Sequence, residues 1–145
     1  MVSIEMIRQS KLPKDISDRI NHVSQYLEKR KDVIFAYLFG GLAKGAATPL
    51  SDVDIAVYLD EGVDCIEAKL DILEDLIDIL NTDEIDLIVL NQSSLPLSMN
   101  VIRNNRLIVD KQPFTRHAHD SLVMRKYFDY SRLESAILKR RFYHG

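Results

Sequence analysis

The stretch LFGGLAKGAATPLSDVDIAVYL, residues 38–59, decides how this chain reads. It links two apolar runs, VIFAYLF (33–39) and DIAVYL (54–59), whose β-branched and aromatic content is that of buried strands. Gly40-Gly41 ends the first run, and Asp52 and Asp54 open the second. A spacing of two at the start of a strand points both carboxylates to the same face of a sheet. A third acid, Asp86, lies within EIDLIVL (84–90), on the same face as Ile88 and Leu90. A bare carboxylate on an apolar strand is costly unless it is paired or binds a metal. If the two strands are neighbours, Asp52, Asp54 and Asp86 converge on one patch. Hard divalent cations relieve their repulsion, and oxygen-only ligands favour Mg²⁺, with Mn²⁺ as the alternative.

Such a site suits in-line phosphoryl or nucleotidyl transfer with two ions, one activating the attacking hydroxyl and one neutralising the triphosphate. Gly40 and Gly41 let backbone N–H groups approach an anionic oxygen closely, and a helical turn after them adds a favourable dipole. Lys44 supplies positive charge to the phosphates, while Gly45, Pro49 and Ser51 shape the return into the strand. Each fragment alone has a plainer reading: a turn, a surface acid pair, or an edge-strand charge that discourages sheet-to-sheet pairing. Their order and spacing together point to a metal–triphosphate site. GGLAKG fits neither the P-loop nor the Rossmann pattern.

Outward from this core, the 145 residues suit a single domain, 1–145, and a chain of this size builds its core without disulfides or a structural metal. The lone Cys65 has no partner for an internal disulfide, which favours a reducing, cytoplasmic setting. No apolar run approaches the roughly 20 residues of a membrane span, and the N-terminus lacks the apolar core of a signal peptide. Charge is uneven: residues 52–90 hold 13 acids against Lys69 alone, whereas residues 111–145 hold 8 basic and 3 acidic side chains. For the basic tail a solvated helical face is the first reading, ahead of contact with a phosphate or an acidic protein.

Ile16, Ile20, Val23 and Leu27 recur at helical spacing and predict an amphipathic helix over about 14–30. Residues 63–80 predict a second helix, with Ile66, Leu70, Leu73, Ile77 and Leu80 on the buried stripe and most acids opposite. Ser93 and Ser94 are candidate caps for a short helix to about residue 103, and RLIVD (106–110) reads as a strand. Pro113 opens a helical tail, about 112–145, with Phe114, Ala118, Met124, Phe128, Leu133 and Ile137 as apolar contacts. The fold class is α/β (α+β): a small mixed sheet flanked by helices.

Gly40-Gly41, ten residues, then Asp52-Val53-Asp54 resembles the nucleotidyltransferase signature of the DNA polymerase β superfamily. The short length and the tail RHAHDSLVMRKYFDYSRLESAILKR (116–140) resemble the minimal nucleotidyltransferases, the antitoxin half of HEPN/MNT toxin–antitoxin pairs. The resemblance implies that Asp52 and Asp54 ligate two Mg²⁺ ions, that Asp86 completes the catalytic metal site, and that Gly40 and Gly41 hold the triphosphate of ATP. It also implies AMP transfer to a tyrosine hydroxyl of a HEPN toxin. Two departures bear on nucleotide binding: many members have Gly-Ser at Gly40-Gly41, and many minimal members have Arg at Lys44. Larger superfamily members enclose the acceptor with a second domain, for which this length leaves no room. A partner closing the cleft, with the tail as docking surface, is therefore expected, and the assembly is a homo- or hetero-oligomer. No membrane or direct nucleic-acid partner is expected. The alternatives are an antitoxin that masks its partner without catalysis and an aminoglycoside-type small-molecule nucleotidyltransferase. The remaining conspicuous residues have modest readings: His117 and His119 as surface or partner contacts, Cys65 as packing, and Tyr127, Phe128 and Tyr130 as helix packing.

Overall fold

The computed structural model describes residues 16–43 and 52–143. In chain order the elements are α1 (Ile16–Lys29), β1 (Val33–Phe39), the helical turn α2 (Gly40–Ala43), β2 (Val53–Leu59), α3 (Cys65–Leu80), β3 (Ile85–Val89), α4 (Leu95–Arg103), β4 (Asn105–Asp110) and α5 (Pro113–Tyr143). The strands form one mixed sheet in the order β3-β2-β1-β4. β1 runs antiparallel to both its neighbours, and β2 pairs with β3 in parallel. This is the α+β class expected from the sequence.

β1 is buried along its whole length because both faces of the sheet are covered there. On one face, Ala36, Leu38, Ile55 and Val57 pack against Val23 and Leu27 of α1 and Ile72 and Leu76 of α3. On the other, Phe35, Tyr37, Phe39, Ala56 and Ile88 pack with Val101 of α4. Local chemistry sets the element ends. Asp64 caps α3 by accepting from the N–H groups of Ile66 and Glu67 at 3.1 and 3.2 Å, and Asn81 closes it in the left-handed conformation at φ 54°. Ser94 caps α4, whose first turn holds Pro96.

The second face is closed at one end by the start of α5, held by a polar clamp. Tyr37 Oη donates to Asp120, His119 Nδ1 lies 2.8 Å from Asp120 Oδ1, and Arg116 Nη2 donates to Asp110 Oδ2 at 3.0 Å. The His119 ring also packs 5.7 Å from Phe35 and 5.1 Å from Tyr58, which stack on each other at 4.8 Å. His119 is thus an anchor of α5 rather than the surface residue its spacing suggested, whereas His117 is exposed.

Two packing expectations are corrected. In α3 the buried residues are Ala68, Ile72, Leu76 and Leu80, while Ile66 and Leu70 are 70% and 62% exposed. Ala68 counts weakly as apolar in a sequence pattern, yet its small side chain permits close approach to the sheet. In α5, Phe114, Phe128, Leu133 and Ile137 are all exposed. Phe114 lies in the first turn and points away from the sheet; for Phe128, Leu133 and Ile137 length is the reason, since 31 residues of helix span about 46 Å but a seven-residue strand only about 23 Å. The distal half of α5 therefore runs past the sheet. Among the described residues no helix is long and apolar enough to cross a membrane. The revised α3 face makes a direct prediction: Ile72→Ala lowers unfolding free energy by about 2–5 kcal/mol in urea titrations, and Leu70→Ala by less than about 0.5 kcal/mol.

Candidate active site

The parallel pairing of β2 and β3 sets Asp54 directly against Asp86. Val53 N–H donates to Glu84 C=O at 2.9 Å, which pins the register at this end of the ladder. Asp54 alternates with Ala56 and Tyr58, and Asp86 with Ile88 and Leu90, so both carboxylates belong to the face that α4 covers. Asp52 stands exposed immediately before β2, Asp86 is exposed at the start of β3, and Asp54 is half-buried between them.

On its other side Asp54 pairs with Phe39, and the chain leaves β1 through Gly40 at φ +71°. A Cβ on Gly40 would lie 2.1 Å from Asp54 Oδ2. Glycine is thus required twice over, by the positive φ and by the carboxylate against the backbone. Gly41 follows in the α2 turn; Lys44 and Ser51 lie outside the described residues.

Burial pushes the Asp54 carboxyl up to about 6, and the neighbouring charges of Asp86 and then Asp52 push it the same way. The three carboxylates therefore share one electrostatic field. Among the described residues, no three acidic, histidine or cysteine side chains form a closed metal cage. Anions that repel one another stand apart until a cation draws them in, and an all-carboxylate donor set is the hard-oxygen chemistry of Mg²⁺ or Mn²⁺. The residues fit that group.

One feature at this edge was not legible in the sequence. The Arg103 guanidinium, in the last turn of α4, sits over the Tyr127 ring of α5 at 5.0 Å. Nothing in sequence spacing relates the two residues. Tyr127 also meets the Phe128 ring edge-on at 6.2 Å.

Folding raises the proton affinity of Asp54, so its ionised form opposes the fold above pH about 6, and that opposition fades as pH falls through 6 toward about 4. In metal-free buffer, Asp54→Asn is expected to melt higher than the wild type at about pH 8, with the gap closing by about pH 4. A gap of constant size would contradict the assigned field. Gly40→Ala is expected to lower stability by about 1–3 kcal/mol in denaturant titrations, because φ and Cβ are both obstructed.

Comparison with known proteins bears on the fold that carries this geometry. The family model for polymerase beta nucleotidyltransferases matches residues 21–114, from within α1 to the start of α5. No curated protein matches the chain. Among solved structures, a toxin–antitoxin complex with AMP-PNP is 23% identical with a TM-score of 0.67, covering 84% of this chain and 94% of that one. A mutant MntA-HpeT toxin–antitoxin is 24% identical with a TM-score of 0.66, covering 85% and 94%. A Shewanella oneidensis complex of a tri-AMPylated HEPN toxin with its MNT antitoxin is 20% identical with a TM-score of 0.61, covering 84% and 92%. At these identities the likeness is one of fold. The match to the family model spans the glycine turn, the aspartates at and just before the start of β2 and the β3 acid together, and this chain belongs to the polymerase β nucleotidyltransferase family.

Proposed function

We propose that this nucleotidyltransferase is a Mg²⁺-dependent antitoxin that transfers AMP from ATP to a tyrosine hydroxyl of a partner HEPN toxin. The observation that carries the nucleotidyl-transfer reading is the register of Asp54 against Asp86 with Gly40 so placed that any Cβ there would overlap the Asp54 carboxylate. The protein acceptor is suggested by the solved relatives, one holding AMP-PNP and another a tri-AMPylated HEPN toxin.

Asp52, Asp54 and Asp86 would hold the ions. When bound, Mg²⁺ lowers the pKa of the attacking hydroxyl and offsets charge on the triphosphate. The chain's own residues do the positioning. Gly40 and Gly41 present backbone N–H groups to the phosphates, with Lys44 and Ser51 as further contacts. Asp54, held between two strands, fixes the height of the α-phosphorus above the sheet edge. The acceptor hydroxyl attacks that phosphorus and the bond to the bridging oxygen of pyrophosphate breaks. The hydroxyl proton passes to Asp86, which faces solvent and hands it on.

The exposed apolar residues of α5, Phe128, Leu133 and Ile137, favour a second element of the reading: a protein partner docks on the tail of about 112–145. They would serve equally an antitoxin that masks its partner without catalysis, and one experiment separates the two. Intact mass of the partner toxin is measured after incubation with this protein, ATP and Mg²⁺, beside the Asp54→Asn variant. Adenylyl transfer adds one or more AMP masses with the wild type and none with the variant. A stable complex without any mass increment would establish the masking antitoxin instead.

A further inference from the structure

We propose that Arg103, backed by the ring of Tyr127, binds the β- and γ-phosphates of the nucleotide and carries part of the charge that collects on departing pyrophosphate. This rests on the nucleotide-transfer reading above and extends it to residues outside the glycine–aspartate signature.

The sheet places Arg103 at the right edge. Asn105, the first residue of β4, pairs with Phe39, and Phe39 pairs on its other side with Asp54. Across one end of the sheet the order is therefore Asp86, Asp54, Phe39 with Gly40 above it, and Asn105. With strands spaced about 4.8 Å, Asn105 stands about 10 Å from Asp54. The Asn105 side chain holds the last turn of α4 to this level, donating to the carbonyls of Val101 and Ile102 at 3.1 and 2.9 Å. Val101 itself packs with Phe39 and Ile88 on the face that carries Asp54 and Asp86. The α2 turn touches β1, β2 and β4, so it lies between the carboxylates and Arg103.

The chemistry of transfer fixes the α-phosphorus at Asp54 and Asp86, because the attack occurs there. The phosphates beyond it follow the glycine turn away from the carboxylates, and the next element in that direction is β4 with Arg103 beside it. When the bond from the α-phosphorus to the bridging oxygen breaks, its electron pair stays with pyrophosphate, and guanidinium N–H groups stabilise that charge. Arg103 is equipped for this. It is exposed and, among the described residues, has no carboxylate partner. Its guanidinium carbon lies over the Tyr127 ring at 5.0 Å, a cation–π contact that positions the charge. The Tyr37–Asp120–His119 clamp fixes the start of α5, and with it the position of Tyr127. A cation in a last helical turn also suits the helix dipole, but that accounts for the charge and not for a ring holding it in place.

Calorimetric titration of the full chain in Mg²⁺ with AMP-PNP, tripolyphosphate and AMP tests the inference. Arg103→Ala is expected to weaken AMP-PNP and tripolyphosphate by roughly ten- to a hundredfold and to leave AMP unchanged. Arg103→Lys keeps the charge without the fork and falls between. Tyr127→Phe keeps the ring and binds like wild type. Wild-type affinity for AMP-PNP in Arg103→Ala would overturn the inference, and so would an equal loss for AMP, which would move the contact to the nucleoside or α-phosphate. A wild-type protein that bound no nucleotide would refute the transfer reading itself, a result distinct from intact binding that Arg103→Ala does not disturb.

Discussion

Parallel pairing of β2 with β3 is the constraint on which the rest of this molecule depends. It sets Asp54 against Asp86 at the point where the ladder begins, with Asp52 just outside it. Hydrogen bonding dictates a register that burial and then the charges of Asp86 and Asp52 make costly for the ionised Asp54, and the conflict is visible in its raised proton affinity. The fold tolerates this because only Asp54 is partly buried and the other two carboxylates reach solvent.

The two faces of the sheet divide the labour. One is covered by α1 and α3 and supplies the continuous core. The other is covered by α4 and the start of α5 but left open where the aspartates stand. Polar contacts join buried Val123 and the His119 ring in holding α5 there: Tyr37 and His119 converge on Asp120, and Arg116 pairs with Asp110. Directional bonds fix a helix in rotation and height more tightly than apolar contact alone, which is non-directional. That matters for a helix whose far half projects beyond the sheet and whose Tyr127 meets Arg103 at the rim.

Charge along the chain acquires a spatial meaning in this frame. Five of the thirteen acids of residues 52–90 belong to α3, where Glu67, Asp71, Glu74 and Asp78 are exposed and keep one side solvated, while Asp52, Asp54 and Asp86 share one field at the sheet edge. The basic residues of 111–145 divide likewise. Arg116 is consumed by the clamp, whereas Arg125, Lys126, Arg132, Arg140 and Arg141 remain exposed along α5.

The strands, the helices and the facing of the aspartates were legible in the sequence, because alternation and helical periodicity are local and survive without knowledge of neighbours. The glycine–aspartate spacing likewise placed a close backbone approach beside carboxylates on a shared strand face, since both follow from residue type and separation alone. Three matters were decided only by tertiary structure. The inner face of α3 turned on close packing at Ala68, which apolar counting overlooks. The burial of His119 turned on a pocket built by Phe35 and Tyr58 from two other strands. The contact of Arg103 with the Tyr127 ring required two helices, each anchored elsewhere, to meet at the same edge. Contacts between residues distant in sequence depend on register and helix docking, and no local pattern encodes either.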